Sequence, residues 1–112
     1  MDLVSPLIPK QFDVYLVQLD PTQGSEIRKS RPCVVISPDE MNSQLRTVII
    51  APLTSTLRSW PTRVAVVFQD KKGEVALDQI RTVDTNRLVK QLGVVTPTEA
   101  ERIKEVLVEM FL

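Results

Sequence analysis

Short β-branched runs dominate this chain, each stopped by proline, glycine or charge, and only the last stretch keeps a helical period. Runs of that kind pair as strands rather than forming long helices. Residues 12 to 19 alternate as a half-buried strand should, with Phe12, Val14 and Leu16 on one side. Cys33 to Ile36 reads as a buried strand, and Thr47 to Ala51 as the strongest strand, closed by Pro52. Thr62 to Phe68 reads as another, with Lys71-Lys72-Gly73 as its turn. Short strands follow over Glu74 to Leu77 and Gln79 to Val83, meeting at Asp78, with one more over Arg87 to Val89. Ser37-Pro38-Asp39-Glu40 has the form of a helix start, Ser37 as N-cap and Pro38 at N1, opening a turn or two before Arg46. Thr96-Pro97-Thr98-Glu99 is a second capping box, after which Ala100, Ile103, Val106, Leu107, Met110 and Phe111 recur as one apolar stripe. The expected class is therefore mainly β: a small barrel or sandwich with a docked C-terminal helix, in one domain over residues 1–112, with residues 1–10 as an irregular arm.

Composition then narrows the chemistry. The chain has no histidine and one cysteine, Cys33. A Ser-His-Asp or Cys-His catalytic set is excluded, no protein-made metal site is expected, and neither a GxGxxG nor a P-loop sequence is present. Acid–base work falls to carboxylates, Arg, Lys, Thr, Ser, Tyr or Cys. Basic and acidic residues number 14 each, which argues against coating nucleic acid by bulk charge but leaves room for a local basic groove. No apolar run reaches the ~18 residues of a membrane helix, and MDLVSPLIPK lacks the basic start of a signal peptide, so a cytoplasmic protein with no membrane association is expected.

Three constellations carry candidate chemistry. Residues 20 to 32, DPTQGSEIRKSRP, put Glu26, Arg28, Lys29 and Arg31 in one loop that Gly24 and Pro32 bound. Pro32 biases Arg31 to an extended conformation, which plants it at a strand edge; the alternative is a plain surface ion pair between Glu26 and Arg31. Asp78, Gln79 and Arg81 interrupt an apolar pattern with side chains suited to phosphates and base edges, unless Arg81 simply pairs with Asp78 or Asp84. Thr54 and Ser55, with Thr56, bring hydroxyls to the end of the strongest strand, where they matter only if the fold sets them beside Arg31. Cys33 reads as a small core residue, and Trp60 as either a base-stacking ring or a lid over the barrel mouth.

Taken in order, Phe12-Asp13-Val14-Tyr15, Asp20-Pro21-Thr22 with Gly24-Ser25-Glu26, Arg31-Pro32, Val34-Val35-Ile36-Ser37, Ala51-Pro52-Leu53-Thr54, Pro61-Thr62 and Asp78 to Asp84 resemble the MazF/PemK (Kid) toxin family over about residues 11 to 112. The resemblance implies an SH3-like barrel with a short internal helix and a C-terminal helix, forming a homodimer. It implies a metal-independent, sequence-selective endoribonuclease, without cofactor, that cleaves single-stranded RNA through its own 2′-OH and is held inactive by a cognate antitoxin. By the same resemblance Arg31, Thr54 and Glu26 occupy catalytic positions, with Glu26 the candidate base. Arg28, Lys29, Ser55, Asp78, Gln79 and Arg81 then fall along the RNA groove. Ser30 and Cys33 depart from the commoner residues around the Arg-Pro element, and residues 1–10 match poorly. The competing expectations are a non-enzymatic, gyrase-poison-like toxin on the same fold, and a bare protein-interaction module.

Overall fold

One strand, β3 (Thr47–Thr54), organises the sheet, because three other strands pair along it. In the computed structural model, which describes residues 8–19 and 30–112, β1 (Asp13–Gln18), β2 (Ser30–Val35), β4 (Arg63–Phe68), β5 (Lys71–Ala76), β6 (Arg81–Asp84) and β7 (Leu88–Val94) join it in one antiparallel sheet. The order is β4-β5-β3-β2-β1-β7, and β6 pairs with β3 off that path. A short helix α1 (Asp39–Asn42) follows β2, and helix α2 (Pro97–Phe111) closes the chain. This is the expected mainly β, curled sheet with a C-terminal helix.

On one edge β3 faces β2. On the other it changes partner: Thr47 to Ile50 pair with β6, while Leu53 and Thr54 pair with β5. Between those registers Ala51 and Pro52 lie opposite Ala76 to Ile80, a stretch that includes a 3₁₀ turn, Leu77–Gln79, stepping the chain from one pairing to the next. Pro52 therefore does not close the strand, as its ring suggests, but sits inside it. The Ile49 carbonyl accepts from the Ile36 N–H on the β2 edge, so by strand alternation the Pro52 nitrogen points to the gap between β5 and β6, where no donor is needed.

Both faces of the central strands are covered. Val14, Val34, Ala51, Val64, Val66, Val75 and Leu77 pack with Ile103 and Val106 of α2 in one cluster. Tyr15, Val17, Cys33, Val35, Val48, Ile50 and Val83 form a second cluster on the opposite face. β1 is thus buried on both sides, with Val14 and Val17 fully covered, rather than half-buried.

Other boundaries also shift for identifiable reasons. The β4–β5 turn lies at Gln69-Asp70, not at Lys71-Lys72-Gly73, and both turn residues are left-handed (φ 52° and 64°) as a tight two-residue hairpin requires. Lys71 to Gly73 are consequently part of β5, and Gln79 lies in the 3₁₀ turn rather than in a strand. Leu88–Val94 begins only after a second 3₁₀ turn, Thr85–Arg87, nucleated by Asp84 accepting the Asn86 N–H. Ser37 does not cap α1: its hydroxyl donates to Asn42 Oδ1 (2.6 Å) and accepts from the Ile49 N–H (3.0 Å), so Pro38 takes the N-cap place without a side-chain bond. At α2 the capping box forms as expected, and Glu99 does more than complete it: one oxygen accepts from Thr96 N–H and the other from Val67 N–H of β4. The apolar stripe stops short of Phe111, which is 71% exposed. No helix among the described residues is long and apolar enough to cross a membrane.

Gly73 makes the β3–β5 contact possible. A Cβ there would lie 2.8 Å from the Thr54 carbonyl oxygen, a backbone atom that cannot step aside. Gly73→Ala is expected to lower the urea midpoint by the equivalent of about 1–3 kcal/mol, with the slope of the transition unchanged, in an equilibrium unfolding titration.

Candidate active site

Arg31 sits on β2, inside the strand rather than in the loop before it, opposite Val17 of β1. Its side chain is exposed while the following residues turn inward, the extended backbone before Pro32 having fixed its direction. Thr54 ends β3. Its Oγ1 accepts the Thr56 N–H at 3.1 Å, which leaves the hydroxyl proton available to a ligand.

These two residues, far apart in sequence, line one cavity of 170 Å³ together with Thr56, Arg58, Arg63 and Gln79, and Pro52 and Ala76 lie beneath the same opening. The cavity therefore sits at the gap where β3 changes partner. A second, larger cavity of 380 Å³ shares Arg31 and Thr54, adds Ser55, and is lined by Leu53, Val66 and Phe68 with Lys71 and Lys72. The structure thus brings together Arg31, Thr54, Ser55 and Gln79. Arg81 stands nearby on β6, opposite Ile50, but lines neither cavity. Glu26, Arg28 and Lys29 lie outside the described residues.

Asp78 has a different neighbour from the one its sequence position suggests. Its carboxylate takes Arg63 Nε at 2.7 Å and the Thr62 hydroxyl at 2.9 Å, so it is Arg63 and not Arg81 that pairs with it. The Arg63 guanidinium also reaches Glu74 at 3.3 Å, and both side chains of that pair are almost wholly covered. Trp60 lies with its ring centroid 4.6 Å from the Arg63 guanidinium and 5.7 Å from that of Arg58, a cation–π arrangement, and is 49% exposed.

Glu74 and Arg63 are the site residues that the sequence reading missed. Glu74 accepts the backbone N–H groups of Arg58 (3.0 Å) and Ser59 (2.9 Å), which are the main cause of its depressed pKa; burial opposes this and Arg63 adds to it. Asp78 is depressed first by its hydrogen bond to Arg63, against burial, and then by Thr62. The signal was present but indirect: once the β4–β5 turn is placed at Gln69-Asp70, Glu74 faces Ala65 and lies diagonally from Arg63 on the same face.

Cys33 behaves as expected of a core residue. Burial pushes its thiol up to about 12, with Arg31 and Arg81 pulling only partly the other way, so it is no thiolate nucleophile. Tyr15 is likewise raised, by burial and then by Asp13.

Fold and site together define a small curled β-sheet protein whose partner-switching strand carries an Arg- and hydroxyl-lined, anion-receptive cavity. A model of the PemK-like, MazF-like toxins of type II toxin–antitoxin systems matches residues 10–111. The chain is 40% identical over 103 residues to the endoribonuclease MazF of Staphylococcus saprophyticus, covering 87% of this chain and 83% of that protein. It is 32% identical over 103 residues to the endoribonuclease toxin MazF of Escherichia coli K12, covering 91% and 93% respectively. Among solved structures, an endoribonuclease in complex with its cognate antitoxin, from a mycobacterial species, superposes with a TM-score of 0.76 at 30% identity, over 90% of this chain and 92% of that one. The chain belongs to the PemK/MazF toxin family.

The acid behaviour of the Arg63 cluster is testable. Glu74 and Asp78 are held below the ordinary carboxylate range, so their contribution to stability is complete above that range and is lost as pH falls through their depressed values. Arg63→Met removes one cause of both depressions and leaves burial opposing ionisation. The midpoint of acid unfolding, followed by circular dichroism, is expected to move to higher pH in the variant; an unchanged acid midpoint would contradict the assignment.

Proposed function

We infer that this chain is an endoribonuclease toxin that cuts single-stranded RNA by attack of the substrate's 2′-OH on the adjacent phosphate, and that a cognate antitoxin neutralises it. The observation that carries the reading is the convergence of Arg31 and Thr54 on one cavity in a chain whose matched relatives are named endoribonucleases. Those names speak against the gyrase-poison-like alternative, and the Arg31–Thr54 cavity gives a bare interaction module no role for its polar lining.

The residues divide the chemistry among them. The attack forms a bond from the 2′-oxygen to phosphorus and breaks the bond to the 5′-oxygen, leaving a 2′,3′-cyclic phosphate and a 5′-hydroxyl. Negative charge develops on the non-bridging oxygens, where a preorganised cation is most effective. Arg31 supplies that cation; a guanidinium keeps its proton too firmly to serve well as the acid. Thr54 donates its hydroxyl proton to a phosphate oxygen, its own oxygen being occupied by the Thr56 N–H. Glu26 is the base in this reading, on the strength of the family resemblance, and takes the 2′-OH proton, while the departing 5′-oxygen takes its proton from water. In this reading Gln79 and Ser55, which border the two cavities, contact RNA, and Arg28, Lys29 and Arg81 add local positive charge to a chain of zero net charge.

The same reading makes the active form a cytoplasmic homodimer whose second copy completes the groove, and makes the antitoxin a competitor for it. Support for an antitoxin partner comes from the mycobacterial relative, whose structure is a complex with its own antitoxin.

RNA is expected to be cut in excess EDTA, with a cyclic phosphate on the upstream fragment detected by its resistance to phosphatase until acid opens the ring. Activity that vanishes in EDTA and returns with magnesium would overturn the mechanism. Arg31→Ala is expected to lower kcat by about 10²-fold or more with the circular dichroism spectrum intact, and Arg31→Lys to recover only part of it. Near-full activity in Arg31→Ala would remove Arg31 from the reaction.

A further inference from the structure

The cavity beside Arg31 takes part of its lining from the β3–β4 loop, and one buried carboxylate fixes the course of that loop. Glu74 is 4% exposed and accepts consecutive backbone N–H groups, from Arg58 and from Ser59. Ser59 is held at φ 57°, a left-handed backbone that serine seldom adopts, so the loop is turned at the point where Glu74 grips it. From the strand side Arg63 meets both Glu74 and Asp78. Its charge is spent inside the cluster, although its side chain borders the cavity. Arg58 is different: its backbone is anchored on Glu74, its side chain is exposed, and it lines the same cavity as Arg31 and Thr54.

Building on the endoribonuclease reading, we propose that Arg58 is a second phosphate-binding cation for the RNA strand, and that Glu74 is the residue that positions it. A strand whose scissile phosphate lies between Arg31 and Thr54 presents a neighbouring phosphate to Arg58 across the same cavity. Arg58 thereby contributes to holding the strand rather than to the bond-breaking step, because the charge it meets is present before, during and after the reaction. Glu74 acts only through the loop. Its carboxylate is suited to two N–H donors, whereas a glutamine in its place would turn an NH₂ toward one of them.

The test uses wild type, Arg58→Ala, Glu74→Gln and the double variant, each as the full chain, on a fluorescent oligoribonucleotide built around a mapped cleavage site. Arg58→Ala is expected to raise KM about tenfold with kcat within about threefold, and to flatten the dependence of log KM on log salt by about 0.7, the value of one lost single-strand phosphate contact. Glu74→Gln is expected to give the same KM-weighted loss, together with a shifted emission of Trp60, the only tryptophan in the chain and a member of the loop. Because Glu74 works through Arg58, the double variant is expected to be no worse than the more damaged single variant. Effects that multiply in the double variant, a loss in kcat at unchanged KM, or a loss that merely tracks the folded fraction would each overturn the assignment. Should Glu74→Gln not fold, Glu74→Asp keeps the charge with a shorter reach and is read in the same way. A wild-type chain that cuts no RNA would overturn the endoribonuclease reading itself, whereas wild-type cleavage with KM unmoved in Arg58→Ala overturns only the present proposal.

Discussion

The structure depends on β3 serving two sheet neighbours along one edge. A strand that pairs with β6 over its first half and with β5 at its end must leave a break between them, and Pro52 is the residue that makes the break tolerable. Any other residue there would aim a backbone N–H into a gap where the ladder offers no acceptor. The break is also what makes room for a site. The 3₁₀ turn that bridges it carries Gln79, and Thr54 follows Pro52 closely enough to share the opening with Arg31 from the next strand. Architecture and chemistry are therefore one constraint: the cavity exists because the sheet is interrupted.

Charge is handled unevenly around that cavity. Arg63 bonds to both Glu74 and Asp78, and Glu74 also holds two loop amides; the Arg63–Glu74 pair is covered, and these hydrogen bonds offset its cost of burial. Arg31 and Arg58 stay at the surface. The chain thus separates cations that hold the protein together from cations that face outward, although its net charge is zero.

Much of this was legible in the sequence. The β-branched runs located the strands, the Thr96-Pro97-Thr98-Glu99 box fixed the start of α2, and Pro32 correctly placed Arg31 in extended backbone. What was misread shares a cause. The β4–β5 turn uses Gln69 and Asp70, neither of them glycine, while the nearby Gly73 marks a close backbone approach instead. With the turn placed at Lys71-Lys72-Gly73 instead, the register between the two strands shifts, and the Arg63–Glu74 diagonal disappears. Pro52 misled in the same direction, since a proline inside a central strand is permitted only where the sheet is broken, and that break is a tertiary fact. The position of Glu26 relative to Arg31 lies outside the described residues.

Glu99 has a bearing on the sheet's outer boundary. β4 is an edge strand, and an edge presents unpaired N–H groups to any passing strand. By accepting the Val67 N–H with one oxygen while the other holds the start of α2, Glu99 turns part of that edge from a template into a dead end. The same carboxylate that begins the helix therefore guards the sheet against unwanted strand addition, and it does so without a bulge or a proline in β4 itself.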